Sequence, residues 1–109
     1  MGLTKDKWVW MPHNAHLIIG HRCRFTLATY VGGYIVSTVG EWPDDSGQGF
    51  QKIGSDYKYE TMVFKARRMN EPCCKWEAII DQQVDFDTYN DPGAANKGHM
   101  RLCKKWADN

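Results

Sequence analysis

The pattern of apolar and polar positions predicts a β-hairpin in the first half of the chain. From Cys23 to Trp42 the residues are mostly β-branched or aromatic, and only Gly32-Gly33 interrupts them. Two glycines can adopt the positive φ angles of a tight two-residue turn, so we expect two antiparallel strands to meet there. One face is then largely apolar, because the turn pairs Val31 with Tyr34, Thr29 with Val36, Leu27 with Thr38, and Phe25 with Gly40. The same register pairs Arg24 with Glu41, which carry opposite charges.

Two further segments have strand character. Tyr57 to Ala66 carries aromatic or aliphatic side chains on both faces, which is typical of a central strand. Trp76 to Phe86 fits a period of two and, nearly as well, a helical period, and we predict a strand. Pro43 to Ser55 is rich in turn-forming residues, so we expect an exposed loop between the hairpin and the later strands.

The carboxyl-terminal segment has the signals of a helix. Asp91 can cap a helix whose first position is Pro92, and Lys104 and Lys105 are cations near the expected end at about Trp106. Its apolar side consists of Ala95, His99, Leu102, Cys103 and Trp106. The elements together predict a single α+β domain over residues 1–109, with an antiparallel sheet of about four strands. We expect the helix to pack on the sheet face that carries Phe25, Leu27, Val36 and Trp42.

Composition and charge restrict the classes of partner. The chain has 109 residues, of which 42% are hydrophobic, and its net charge of +1 gives no overall field that would attract nucleic acid or an anionic membrane. No stretch approaches the ~20 apolar residues of a membrane span, and residues 1–10 lack the apolar core of a signal peptide. We therefore expect a soluble, cytoplasmic protein without membrane contact, in which the four cysteines are reduced.

Cysteine and histidine give the best lead to chemistry. His99 and Cys103 are four residues apart, so on a helix both project from one face and could bind one metal ion. The residues that could complete a tetrahedral zinc site are Cys73, Cys74, Cys23 and His21. The competing interpretation makes Cys23 and Cys103 buried thiols and His99 an interior histidine held by hydrogen bonds.

The same helical pair could instead serve nucleophilic catalysis. Cys103 would supply the thiolate and His99 the base, with Glu60 or Asp81 as the carboxylate that orients the imidazole. No sequence signature marks an oxyanion hole, which such a hydrolase also requires.

Other titratable residues are predicted to lie on the surface. His13 and His16 flank a loop next to Pro12, and we interpret both as surface histidines. The carboxylates between residues 76 and 91 lack the spacing of a calcium loop, so we expect a solvated strand face there.

Basic and aromatic residues predict a candidate binding surface. Its residues are Tyr57, Tyr59, Arg67 and Arg68. Arginines could contact phosphates while tyrosines stack on bases, as in single-stranded nucleic-acid binding. The near-neutral total charge disfavours nucleic acid and makes a protein partner the main expectation.

Several strings in the chain are similar to a group of small uncharacterised proteins encoded by bacteriophages and prophages. The strings are Cys23-Arg24-Phe25, Tyr34-Ile35-Val36-Ser37-Thr38-Val39-Gly40-Glu41, Tyr59-Glu60-Thr61-Met62-Val63-Phe64 and Gly98-His99-Met100-Arg101-Leu102-Cys103. The resemblance covers about residues 16 to 106 and implies a small accessory protein in the cytoplasm of a bacterial host. It implies no activity and no functional residue.

Three functional hypotheses follow from the sequence. The first is a non-enzymatic protein that binds a host or phage macromolecule through exposed residues of the 43 to 59 region and carries a structural zinc. The second is a small thiol- or metal-dependent hydrolase that uses His99 and Cys103. The third is an assembly protein whose edge strand pairs with copies of itself.

Overall fold

The computed structural model describes residues 8–16, 22–46, 48–53, 57–70 and 75–108 of the chain. In chain order the elements are β1 (Trp8–Trp10), β2 (Phe25–Val31), β3 (Tyr34–Gly40), β4 (Trp42–Pro43), β5 (Phe50–Gln51), β6 (Tyr59–Arg68), β7 (Trp76–Tyr89) and α1 (Pro92–Ala107). No helix within these ranges has the length and apolar character needed to cross a membrane.

Five strands form one antiparallel sheet in the order β1-β2-β3-β6-β7, and α1 packs on one of its faces. The predicted α+β class with a carboxyl-terminal helix on an antiparallel sheet is confirmed. The sheet has one strand more than expected, because Trp8–Trp10 pairs with the end of β2. A separate two-stranded ribbon, β4 and β5, lies in the segment that was predicted to be a loop.

The β2–β3 hairpin has the predicted register at all four of its predicted pairs. Gly32 and Gly33 have φ angles of 52° and 100°, which residues with a Cβ rarely adopt, so the turn requires glycine. Beyond the strands, the backbone N–H of Arg24 donates to the carbonyl of Glu41 at 3.2 Å, which extends the predicted register by one pair.

Helix α1 begins where its capping residues predicted. The Asp91 side chain accepts the N–H of Ala94 at 2.8 Å, and Pro92 occupies the first turn, where an N–H would have no partner within the helix. Lys104 and Lys105 lie in the last turn, as expected. The buried side of the helix carries Ala95, Gly98, His99, Leu102, Cys103 and Ala107.

The main core lies between α1 and the sheet. Its largest cluster contains Val31, Val36, Val63, Leu102, Cys103 and Ala107. A second cluster contains Tyr59, Tyr89 and Ala95, and Phe25 packs against it. Phe25 and Val36 therefore lie on the helix side, as predicted.

The placement of Trp42 on the helix face is wrong. Trp42 packs against Cys23, Val39 and Ile53, and Val39 points to the opposite face of the sheet because it alternates with Thr38 along β3. The ribbon brings Trp42 there, because β4 and β5 pair and Trp42 and Ile53 both pack with Val39 on this second face. The segment Pro43 to Ser55 was predicted to be an exposed loop because it is rich in turn formers. It also contains apolar side chains, and one of them, Ile53, is buried.

The β6–β7 hairpin changes direction in the middle. Phe64 pairs with Gln83 but Ala66 pairs with Ala78, so three extra residues of β7 are accommodated opposite this step in β6. We call the part beyond the step, residues 65–70 and 75–82, the arm. The Trp76 ring at its end stacks on Tyr30 of β2, with ring centroids 4.0 Å apart and planes within 7°. Because β3 and β6 separate Tyr30 from β7 in the sheet, this contact requires the arm to bend over the second face.

Candidate functional site

Residues 11–16 lie over the same second face, and we call them the strap. The N–H of Met11 donates to the carbonyl of Ala28 at 2.8 Å, and the N–H of Ala15 donates to Oγ of Ser37 at 2.9 Å. These bonds attach both ends of the strap to β2 and β3. The strap is thus held against the sheet although it forms no strand.

A groove of about 270 Å³ lies between the strap and the arm. The strap contributes Met11 and His13, β3 contributes Ile35, and the arm contributes Met69, Trp76 and Ile80 among the lining residues. Of the ten residues that line the groove, seven have apolar or thioether side chains and three are polar. The groove is therefore a mainly apolar depression that is open to solvent, and its Ile80 side chain is 43% exposed.

Charged side chains at the groove are already paired. Glu77, which lines it, forms an ion pair with Arg67 at 3.2 Å, and both side chains are substantially exposed. The guanidinium of Arg68 lies 5.6 Å from the ring centroid of Trp76, within cation–π distance. Exposed pairs of this kind contribute little stability, so the Arg67–Glu77 pair mainly removes the net charge of these two side chains beside the groove.

A buried polar cluster fastens the end of the strap. Nδ1 of His16 lies 2.8 Å from Oγ of Ser37, and Nε2 lies 3.2 Å from Oε2 of Glu60, within ion-pair distance although the contact does not meet hydrogen-bond geometry. His16 is only 8% exposed, so the prediction of a surface histidine is wrong. Nothing local in the sequence signals this burial, because both partners come from strands far along the chain. His13, by contrast, is exposed as predicted.

Serine, imidazole and carboxylate are also the groups of a hydrolase triad. Ser37, however, has no exposed surface, and its Oγ already accepts the N–H of Ala15. A nucleophile must reach its substrate, so this cluster has the composition of a triad without its access.

His99 lies in a second buried polar network on the helix side. Nε2 contacts Oγ1 of Thr29 at 2.8 Å, and Nδ1 contacts Oγ1 of Thr38 at 2.6 Å. The Trp10 ring stacks over the imidazole at 5.6 Å. Burial lowers the pKa of His99 to about 4, so the ring is neutral at physiological pH. This arrangement is the interior histidine that the sequence offered as one of two interpretations.

Some residues of the predicted zinc site lie within the described part of the chain, and others lie outside it. Threonine hydroxyls occupy both ring nitrogens of His99, so no imidazole lone pair is free for a metal in this conformation. Within the described ranges, no three His, Cys, Asp or Glu side chains are placed to hold a metal ion. Cys73, Cys74 and His21 lie outside the described residues, so a zinc site that includes them stays a prediction, and elemental analysis of reduced protein checks it.

The helical pair has properties unlike those of a thiol hydrolase. Burial raises the pKa of the Cys103 thiol to about 12, so the thiol is protonated, whereas catalysis requires the thiolate. The His99 nitrogens face Thr29 and Thr38, and Cys103 and His99 have no exposed surface. Burial likewise raises the pKa of the Cys23 thiol to about 11.

The residues of the predicted binding surface are separated in the structure. Tyr59 is 5% exposed, and its hydroxyl donates to Oε2 of Glu41 at 2.9 Å; burial is the main cause that raises the Tyr59 pKa to about 12. Tyr57 is exposed, but Arg67 and Arg68 lie at the other end of β6, about 30 Å from Tyr59 for an extended strand. The four residues do not form one surface, and Tyr59 offers no ring to a ligand.

The acidic residues of β7 are also used differently from the prediction. Asp85 and Asp87 point to the helix, where Oδ2 of Asp85 accepts from Lys105 at 2.8 Å and from Nε1 of Trp106 at 3.0 Å. Asp87 pairs with Arg101. A solvated strand face is therefore wrong for these two positions, which connect β7 to α1.

Known proteins assign no role to these features, since no protein-family model, curated protein or solved structure matches the chain. Among the described residues, the groove between strap and arm combines an open cavity with apolar side chains. The two histidine clusters on either face of the sheet are buried and internally paired. The groove is therefore the candidate functional site.

Proposed function

We propose that this protein acts by binding a protein partner, and that an apolar side chain of the partner anchors in the groove between strap and arm. The observation that carries the proposal is the groove itself, which is formed by bending the β6–β7 hairpin over the sheet. Such a bend leaves Ile80 and Trp76 facing a cavity rather than a packed core. Exposed apolar surface within a concave site is typical of an interaction site.

The size of the groove favours a side chain over a free small molecule. Sites for drug-sized ligands usually measure roughly 300 to 1,000 Å³. A groove of about 270 Å³ falls below that range and suits one or two apolar side chains. Met11 and Met69 line opposite walls, and their flexible thioethers can adapt to anchors of different shape.

The charge distribution supports a protein partner more than a nucleic acid. Glu77 pairs with Arg67 and so compensates one of the two arginine charges at this end of β6, while Arg68 lies over the Trp76 ring. A net charge of +1 adds no long-range attraction. The resemblance to small phage-encoded proteins supports a bacterial host component as the partner and the bacterial cytoplasm as the setting.

Selection from a library of random twelve-residue peptides tests the proposal. We expect enriched peptides to share an apolar anchor residue and to lose at least tenfold in affinity against Ile80→Lys, which places a charge in the groove. Ala78→Trp, which fills the groove, should have the same effect. Phe50→Lys is the matched control, because Phe50 is an apolar side chain of similar exposure in the ribbon.

The same variants separate this site from the 43 to 59 region. If the selected peptides lose affinity for Phe50→Lys and keep it for Ile80→Lys and Ala78→Trp, the binding surface is the ribbon and the groove proposal is wrong. The groove proposal would also be contradicted if no selected peptide bound Ile80→Lys or Ala78→Trp more weakly than the wild type.

A further inference from the structure

We propose that His16 is a positioning residue that holds the strap in place as one wall of the groove. This inference rests on the proposed function for its consequence in binding, but its structural part concerns the free protein. His16 ends the strap, and its imidazole reaches two strands, β3 through Ser37 and β6 through Glu60. One side chain thus connects the strap to the two neighbouring strands beneath it.

The two imidazole nitrogens of His16 face different partners. Oγ of Ser37 accepts the N–H of Ala15, so the serine O–H is available to donate to Nδ1 of His16. Nε2 on the other side of the ring faces Oε2 of Glu60 at 3.2 Å, within ion-pair distance but outside hydrogen-bond geometry. The imidazole thus lies between the Ser37 hydroxyl and the Glu60 carboxylate, which makes the three side chains interdependent.

Burial makes the hydrogen bond between His16 and Ser37 costly to break. Ser37 has no exposed surface and His16 is 8% exposed, so removal of either side chain would break their 2.8 Å hydrogen bond where water does not readily replace it. The Glu60 side chain is a quarter exposed, which allows its carboxylate to remain hydrated on one side. A strap displaced from the sheet would leave the serine hydroxyl without the two strap groups that it binds, the imidazole of His16 and the N–H of Ala15.

The cluster of His16, Ser37 and Glu60, which we call the clamp, lies on the opposite side of the sheet from the main core. The cluster around Val36 and Leu102 and the His99 network lie on the helix side, whereas Ser37 alternates with Val36 and points to the second face. Loss of the clamp should therefore release the strap without unfolding the sheet and helix. Release would remove Met11 and His13 from the groove and leave the arm without its facing wall.

Amide hydrogen exchange on the free protein tests the structural part. In His16→Leu we expect the N–H of Ala15 to exchange at least tenfold faster than in the wild type and the N–H of Met11 to lose protection, while Val36 is unchanged. His16→Gln should restore much of the protection, because an amide can accept from Ser37 and donate to Glu60. His13→Leu, which changes the exposed histidine of the same strap, should leave both amides protected.

Two results would overturn this part. Unchanged exchange of Ala15 in His16→Leu would show that the imidazole does not hold the strap. Equal acceleration at Val36 would show that His16 belongs to the global core, because the strap would then open only with the whole domain.

The affinity of the selected peptides tests the consequence for binding. We expect His16→Leu to weaken them at least tenfold and His16→Gln to restore most of the affinity. If the strap is released and the affinity is unchanged, His16 does not position the binding site, although the groove still binds. If the strap is released and no peptide binds even the wild type, the proposed function fails while the structural part of the inference stands.

Discussion

Oγ1 of Thr38 lies 2.6 Å from Nδ1 of His99 and joins the centre of helix α1 to the middle strand of the sheet. Thr38 also contacts Oγ1 of Thr61 at 2.6 Å, and Thr61 accepts the hydroxyl of Tyr89 at 3.1 Å. A consistent set of donors runs from Tyr89 through Thr61 and Thr38 to Nδ1, with the His99 proton on Nε2 donated to Thr29. The network therefore fixes the position of the helix along three strands in a way that apolar packing alone does not.

The low pKa of His99 predicts that the protein loses stability in mild acid. Burial lowers this pKa from 6.5 to about 4 in the folded state. Between these values the unfolded chain binds a proton that the folded chain does not, so the free energy of unfolding falls as the pH falls through this window. At ~1.4 kcal/mol per pH unit the total effect is about 3 kcal/mol, and it is absent above pH 6.5. Urea titrations between pH 4 and pH 7.5 measure it, and His99→Gln should flatten the curve. An unchanged slope in that variant would assign the acid sensitivity to other groups.

Replacement of Thr38 tests whether its hydrogen bonds to His99 and Thr61 stabilise the protein. Thr38→Val keeps the shape of the side chain but leaves Nδ1 of His99 and the hydroxyl of Thr61 without their partner. Leaving buried polar atoms unpaired should cost about 1 to 3 kcal/mol of unfolding free energy, measured by urea titration. Thr26→Val is the matched control, since Thr26 is an exposed position on the same hairpin and should change stability by less than about 0.5 kcal/mol. Equal effects of the two substitutions would contradict the importance of the network.

The hairpin and the helix could be predicted because their determinants are local in sequence. The turn needs only two residues that readily adopt positive φ, and Gly32-Gly33 supplies them. The register of the hairpin then follows from the position of the turn. Asp91 and Pro92 mark the start of α1 in the same way. The sequence also placed His99 on the buried side of the helix. It could not show that Thr29 and Thr38 take both ring nitrogens, and the spacing to Cys103 therefore pointed equally to a metal.

The groove could not be predicted because contacts between distant residues create it. His16 and Ser37 are 21 residues apart, and Trp76 reaches Tyr30 only because the β6–β7 hairpin bends. A histidine near a proline in a polar segment has the same local pattern whether the segment is exposed or folded over a sheet. The strap, the ribbon and the arm all cover the second face. The strap and the ribbon have no periodic signal, and the period of two in β7 predicts a strand but not its bend.

Gly98 provides a test of the packing between α1 and the sheet. A Cβ at this position would overlap the ring and hydroxyl of Tyr89, so glycine allows the closest approach of the two elements. In an exposed helix, alanine is better than glycine by about 1 kcal/mol, but here the overlap should reverse the sign. We expect Gly98→Ala to lower the melting temperature and to cost about 1 to 3 kcal/mol, as in overpacked cores. Asn96→Ala, at an exposed helix position, should instead be neutral or slightly stabilising. A stabilising Gly98→Ala would show that Tyr89 can move without cost.

Asp85 and Asp87 should prevent copies of the chain from pairing along β7. This strand is an edge of the sheet, and Oδ1 of each aspartate accepts the N–H of the next residue, Phe86 or Thr88, at 2.9 Å. Helix residues hold the second oxygen of each carboxylate, so both aspartates are fixed where they occupy edge donors that another strand would need. The double variant Asp85→Ala/Asp87→Ala exposes these donors and removes two like charges. We expect its mass by light scattering to rise with concentration while the wild type and Asp81→Ala, an exposed change on the same strand, stay monomeric. A wild-type protein that associates equally would favour the assembly hypothesis, and a double variant that stays monomeric would show that these side chains do not guard the edge.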